Sequence, residues 1–179
     1  MDCQEFADRL DDRLAVAEYA STDASANGLQ IGSDDQQIDR AAFAVDAAVD
    51  TIEAAAERDA DVLVAHHGIS WGGIERVTGR QYDRISAAID NDVALYAAHL
   101  PLDGHQELGN AAGVADLLGL TDREPFGTHG GEYIGQRGQF SEPQALSEIT
   151  ATLSAELDTG EQDVQVLDFG PSEIQDVAI

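Results

Sequence analysis

Three histidines follow two apolar segments whose composition is typical of buried β-strands. Residues 61–65 lead into His66 and His67, and residues 93–98 lead into His99. Imidazole nitrogens bind transition metals and transfer protons near neutral pH. Ligand sites in parallel α/β sheets lie outside the carboxyl ends of the strands, so we expect these three side chains to converge at one edge of a sheet.

A carboxylate completes this candidate site. Asp103 lies four residues after His99, on the segment that follows the second strand. Successive side chains of a regular strand point to opposite faces, so His66 and His67 reach one site only if the backbone turns, and Gly68 offers freedom for that turn. Two imidazoles and a bridging carboxylate suit a pair of metal ions about 3.5–4 Å apart that activate water. The residues alone leave open that these histidines are strand-end residues without a ligand, and that the aspartate is a cap.

Other reactive side chains give weaker signals. Trp71, the only tryptophan, either forms a wall of the pocket or packs in the core. His105 and His129 lie in glycine-containing loops and are expected at the surface. Cys3 is the only cysteine, which excludes an intrachain disulfide, and its position near the terminus argues against a catalytic nucleophile. The sequence contains neither a P-loop nor a nucleophile-elbow motif.

The elements that must position these residues alternate between strands and helices. Buried strands are predicted at residues 41–45, 61–65 and 93–98, after a short strand around residues 29–31. Helices are predicted at residues 4–18, 50–58, 80–90 and 108–118. The alternation predicts an α/β fold with a largely parallel sheet flanked by helices. The remaining segments predict strands at residues 133–140, 163–169 and 176–179 and a helix at residues 142–155.

The charge of the chain excludes several classes of partner. The net charge is -26, from 35 acidic residues against nine arginines and no lysine. Binding to nucleic acid or to an anionic membrane needs clustered basic residues, and the low arginine content also argues against a strongly basic nucleotide cleft. Self-repulsion of this size is screened when the Debye length falls to about 3 Å in about 1 M salt. With no signal peptide or apolar run of about 20 residues, we expect a halophilic protein of a salt-rich cytoplasm.

Four segments, in this order, resemble the NIF3-like family, also labelled GTP cyclohydrolase 1 type 2 homologues. They are NGLQIG at 27–32, FAVD at 43–46, AHHGISW at 65–71, and YAAHLPLD at 96–103 with Gly109-Asn110 after it. The resemblance implies an α/β fold, a dinuclear centre of two divalent ions such as Zn, Fe or Mn, and a ring-like homohexamer. It implies that His66, His67 and Asp103 are metal ligands, and it places Asn27 and His99 near the site.

The resemblance also predicts the domain organisation. The family's remaining ligands are a His and a Glu in a C-terminal G-H-Y-x-S-E segment, which has no match after His129. Residues 176–179 begin another apolar run, so we expect the sequence to lack the C-terminal part of the family fold. We predict that residues 1–125 form the α/β domain with the metal site, and that residues 126–179 continue the fold.

The predicted function is metal-dependent hydrolysis of a nucleotide-like or other small substrate. His99 would either support the metal ligands from behind or carry protons, beside Asn27 and Trp71. The alternative is a non-catalytic metal-binding protein that acts as a regulator or scaffold through its oligomer. A third possibility is a structural α/β protein whose histidines bind nothing.

Overall fold

The computed structural model describes residues 1–33, 35–158, 160 and 162–179. Contacts divide the chain into two units, Met1–Leu102 and Asp103–Ile179. Each unit has its own sheet and its own buried core. Within the described ranges, no helix is both long and apolar enough to cross a membrane.

The first unit is built on a four-stranded sheet with the order β1-β4-β3-β2. The strands are β1 (Gly28–Ile31), β2 (Ala41–Asp46), β3 (Val62–His67) and β4 (Ala94–Ala97). β2, β3 and β4 run parallel, as predicted, whereas β1 pairs antiparallel with β4. The expectation of a largely parallel sheet therefore holds for three strands, and the sheet as a whole is mixed. The described residues between β1 and β2, which are 32, 33 and 35–40, form no helix. β1 therefore lies outside the strand–helix alternation on which that expectation depended.

Helices cover both faces of this sheet. They are α1 (Cys3–Leu14), α2 (Val16–Tyr19), α3 (Val49–Ala56) and α4 (Arg80–Asp90). Ile52 of α3 and Ala88 of α4 pack with Leu95 of β4 in one buried cluster, and α1 contributes to a second cluster. The helix predicted at residues 4–18 is interrupted at Ala15, whose φ of 52° is left-handed and ends α1.

β2 differs from the buried strand that its composition predicts. Ala42 and Ala44 pack against the core, but Phe43 is 77% exposed and Val45 is 63% exposed. β2 is an edge strand, and these two side chains lie on its uncovered face. Coverage on both faces is observed for β4, whose four residues are all buried.

The second unit contains an antiparallel sheet with the order β5-β6-β7. The short helix α5 (Leu100–Asp103) spans the boundary between the two units. The elements after it are, in chain order, α6 (Asn110–Leu117), β5 (Thr121–His129), β6 (Glu132–Ala145), α7 (Leu146–Glu156) and β7 (Glu173–Ala178). β5 was not predicted, because all nine of its residues are exposed and its sequence lacks the apolar pattern of a core strand. The strand predicted at residues 163–169 is wrong: those residues are irregular, and Leu167 and Phe169 are 80% and 92% exposed, so their apolar side chains enter no core.

Candidate metal centre

Three histidines lie together at the carboxyl ends of β3 and β4. One ligand atom from each of His66, His67 and His99 lies within 4.8 Å of the others, and all three residues are half-buried. The ring centroids are 4.5 Å apart for the first two, and 5.0 and 5.7 Å from each of these to His99. The structure thus shows the convergence predicted from the strand ends, whereas the assignment of individual metal ligands stays a prediction.

Gly68 allows the close packing that follows the two adjacent histidines. A Cβ atom at this position would lie 2.6 Å from Cβ of Ala97 and would overlap the side-chain amide of Gln30. The Oε1 atom of that amide accepts a hydrogen bond from the N–H of Ile69 at 2.7 Å. Gly68 is not among the glycines with a left-handed φ, so the prediction that it supplies turn freedom is wrong. Glycine is required at this position because any side chain would collide with Ala97 and Gln30.

Each imidazole has its Nδ1 atom against a hydrogen-bond acceptor. The pairs are His66 with the carbonyl O of Ala98 at 3.0 Å, His67 with Oδ1 of Asp46 at 2.9 Å, and His99 with Oδ1 of Asp23 at 3.0 Å. Carbonyls and ionised carboxylates only accept hydrogen bonds, so we assign the Nδ1 proton to all three rings. In the neutral rings the lone pair is then on Nε2. Metal-binding histidines typically have this arrangement, because the outer hydrogen bond fixes the tautomer and orients the ring.

Asp23 is much less exposed than Asp46: 2% of its side chain is exposed, against 64% for Asp46. Besides His99, its carboxylate accepts hydrogen bonds from the Asn27 side chain and from the backbone N–H groups of Ser25 and Leu100, each at 2.9 Å. Burial alone would raise the pKa of Asp23. The hydrogen bonds from these four donors outweigh burial and hold the pKa below its ordinary value. Asp23 is therefore an ionised anchor for one ring of the cluster.

Asn27 and two unpredicted aspartates position the histidines. Oδ1 of Asn27 accepts a hydrogen bond from the N–H of His99 at 2.8 Å, so Asn27 contacts the histidine cluster, and its part in a metal site stays a prediction. Asp46 could have been inferred, because it ends β2 at the edge of the sheet where β3 ends and pairs in register with His67. Asp23 lies in a small polar connection after α2, where no sequence pattern marks it.

Trp71 lies beside the cluster and is 46% exposed, so the alternative that it packs in the core is wrong. Its ring centroid is 4.9 Å from that of His99, in an edge arrangement at 75°, and 6.0 Å from that of His67. An isolated β-bridge to Ser25 holds its backbone. The indole is thus available as one wall of a site at the histidines.

The other candidates lie in the second unit. Oδ1 of Asp103 accepts a hydrogen bond from the Asn110 side chain at 2.7 Å, and its role as a metal ligand stays a prediction. His129 is exposed at the end of β5, as expected. His105 is half-buried, and its Nδ1 accepts hydrogen bonds from two backbone N–H groups at 3.1 Å, which is a structural role.

The donor set of the first unit fits a transition-metal ion. Three imidazoles whose ligand atoms lie within 4.8 Å of one another suit Zn, Cu, Fe or Ni. Each ring also has the hydrogen bond at its other nitrogen that metal-binding histidines typically make. The large net negative charge of the chain also favours cations. The site is therefore able to bind a metal ion.

Comparisons of the sequence and of the structure with known proteins point to one protein family. The sequence matches the model of the Duf34/NIF3 (NGG1p interacting factor 3) family over residues 1–179. It is 58% identical to a GTP cyclohydrolase 1 type 2 homolog of Halobacterium salinarum over 179 residues, which is 100% of this chain and 70% of that protein. Identity to a protein of the same description from Pyrococcus abyssi is 41%, with the same coverage. The crystal structure of TTHA1606 from Thermus thermophilus superposes with a TM-score of 0.84, at 29% identity over 98% of this chain and 68% of that one.

Proposed function

The chain belongs to the Duf34/NIF3 family, and from this premise we propose that it binds two divalent metal ions and hydrolyses a nucleotide-like or other small substrate. The observation that carries the proposal is the cluster of three histidines, each with its Nδ1 against an acceptor. Family membership and this donor set support metal binding. The number of ions and the hydrolysis are the parts that we propose.

In the proposed site, His66, His67 and Asp103 hold the ions, which are Zn, Fe, Mn or similar. Such ions, when bound, polarise a substrate and supply a water that loses its proton near neutral pH. His99 adds a further Nε2 atom as a ligand or proton carrier. The ionised Asp23 at its Nδ1 stabilises this ring when it is protonated.

The indole of Trp71 has a separate part in the proposed site. It lies beside two of the three imidazoles, where it excludes water from one side of a bound substrate. Excluding water strengthens the electrostatic interactions between a bound substrate and the charged groups at the histidine cluster.

Elemental analysis of purified protein tests the metal site. Replacing both His66 and His67 by alanine should abolish stoichiometric metal. The His129→Ala variant, which changes an exposed histidine of the second unit, should keep the wild-type content. Stoichiometric transition metal in the double variant would show that the ligand assignment is wrong.

A second candidate function is non-catalytic. A metal-binding regulator or scaffold would act through its oligomer, and the exposed Phe43 and Val45 on the edge strand β2 favour burial against a second copy. We propose the homohexamer that the family resemblance implies, in the cytoplasm of a salt-rich cell, without nucleic-acid or membrane partners. Light scattering should show a smaller species for Phe43→Glu than for Ile89→Glu, a matched change at a residue of α4 that is 64% exposed.

Turnover distinguishes the two functions. The metal-loaded protein is tested against nucleotides and phosphoesters, with the His66→Ala variant as control. Hydrolysis that this variant loses supports the hydrolase. Stoichiometric metal without hydrolysis of any compound favours the regulator, and equal hydrolysis by both proteins contradicts a role for the cluster.

A further inference from the structure

Three arginines of this acidic chain have no partner among the residues that the structure describes. Six of the nine arginines have an interaction partner there; they are Arg9, Arg13, Arg40, Arg58, Arg123 and Arg137. The other three are Arg76, Arg80 and Arg84, which fall within nine consecutive residues. The chain has 35 acidic residues, so three neighbouring arginines without any partner among the described residues differ from the other six.

These arginines belong to the segment that follows the histidines. α4 connects the parallel strands β3 and β4, so its first turn lies at the carboxyl edge of the sheet, where the three imidazoles also lie. A hydrogen bond of 2.9 Å from the Gln81 side chain to the carbonyl of Ile69 ties that turn to the segment just after His67. Arg80 is the first residue of α4, and Arg76 lies on the loop before it.

The beginning of α4 also lacks a side-chain cap. Its N-cap residue is Gly79, which has no side chain to accept from the first N–H groups. Free N–H groups at a helix N-terminus attract anions. Arg80 and Arg84 are four residues apart, so they share one face of the helix with their Cβ atoms about 5–6 Å apart. The nearby acidic residues in the sequence are Glu75 and Asp83, which leaves the segment 75–84 with an excess of positive charge.

We propose that Arg80 and Arg84, with Arg76 and the uncapped turn of α4, bind a phosphate group of the substrate. Guanidinium groups bind phosphate through paired hydrogen bonds, which a diffuse positive field does not provide. A protein with a net charge of -26 repels anions, so an anionic substrate needs a local site of this kind to dock. The inference rests on the proposed function and narrows it: the substrate carries a phosphate, and its reacting part reaches the histidine cluster.

Calorimetric titration with inorganic pyrophosphate at fixed KCl tests the inference. The Arg80→Gln/Arg84→Gln variant should bind pyrophosphate about tenfold more weakly than wild type. Arg9→Gln/Arg13→Gln is the matched control, because it removes the same charge at the same spacing from α1; its affinity should stay within about twofold of wild type. Equal weakening in both variants would mean that only net charge matters and would overturn the proposal, as would a wild-type protein that binds no pyrophosphate.

Two further measurements separate this inference from the proposed function. The weakening of pyrophosphate binding by Arg80→Gln/Arg84→Gln, here called the arginine effect, should persist when His66 and His67 are replaced by alanine. If pyrophosphate binding depends on the histidines alone, the phosphate binds at the histidine cluster and the inference is overturned. Metal content should be unchanged in Arg80→Gln/Arg84→Gln. A protein that shows the arginine effect but contains no metal would keep the phosphate site and refute the proposed hydrolase.

Discussion

The carboxylate of Asp23 lies 3.0 Å from Nδ1 of His99, although the two residues are 76 positions apart in the chain. The same carboxylate accepts the N–H of the next residue, Leu100, so it holds both the ring and the backbone at the end of β4. A buried ionised group with this many donors is stable only while every donor keeps its place. The geometry of the histidine cluster therefore depends on a residue that has no direct part in the proposed metal chemistry.

Replacing Asp23 with alanine should destabilise the fold. The change leaves the N–H groups of Ser25 and Leu100 and the Asn27 side chain without their acceptor, and each such loss costs about 1–3 kcal/mol. We expect a fall of about 3 kcal/mol in the free energy of unfolding, measured by urea denaturation at constant KCl. Asp12→Ala, on the exposed side of α1, should change it by less than about 0.5 kcal/mol. Equal effects would show that Asp23 is not a structural anchor.

The contribution of Asp23 to stability should depend on pH in one direction. Its pKa is lowered in the folded protein from an ordinary value of 3.8, so folding favours the ionised form. The stability it provides is fully present above pH 3.8 and is lost as the pH falls through the lowered pKa. The difference in unfolding free energy between wild type and Asp23→Asn should be constant above that range and shrink below it. A difference that grows on acidification would contradict the assignment.

Metal binding should change the fluorescence of the protein. Trp71 is the only tryptophan, and its ring centroid lies 4.9 Å from that of His99. Titration with a divalent transition metal should alter its emission with a saturable dependence on concentration. His66→Ala/His67→Ala should lose that response, and His129→Ala should keep it. A response retained without the two histidines would place the metal elsewhere.

Two glycine-to-alanine changes should have opposite effects on stability. At Gly68 the added Cβ would meet Ala97 and Gln30, and overpacking of this kind costs about 1–3 kcal/mol. At Gly113, inside α6, no described atom outside the adjoining backbone of the helix lies within 4 Å of the added Cβ. Alanine should therefore stabilise the helix by about 0.5–1 kcal/mol. Thermal unfolding measures both. A Gly68→Ala variant as stable as wild type would show that the close approach is not required.

Stability should rise steeply with salt concentration. The net charge of -26 repels itself across the folded surface, and the Debye length shortens from about 10 Å at 0.1 M salt to about 3 Å at 1 M. We expect the melting temperature to increase with KCl up to molar concentrations. A flat response would contradict the proposed adaptation to a salt-rich cytoplasm.

The parts of the fold that follow from apolar periodicity were predictable. β3, β4 and the helices between the strands match continuous apolar or amphipathic segments, and the histidines that end these strands therefore meet. A long-range polar contact such as that of Asp23 leaves no periodic trace, because its partner is set by tertiary packing. The prediction at residues 163–169 failed for a related reason: an apolar composition favours a strand, but only burial against other elements decides whether one forms.

The three outer hydrogen bonds of the imidazoles close chain loops of unequal length, from which we expect an order of assembly for the site. Asp46 and His67 are 21 residues apart, His66 and Ala98 are 32 apart, and Asp23 and His99 are 76 apart. Longer loops lose more entropy on closing, and contacts between distant residues slow folding. His67 acquires its anchor once β2 pairs with β3, whereas His99 must wait for the segment after α2 to dock. A metal ion that reached a partly folded chain would therefore meet two oriented imidazoles before the third was in place.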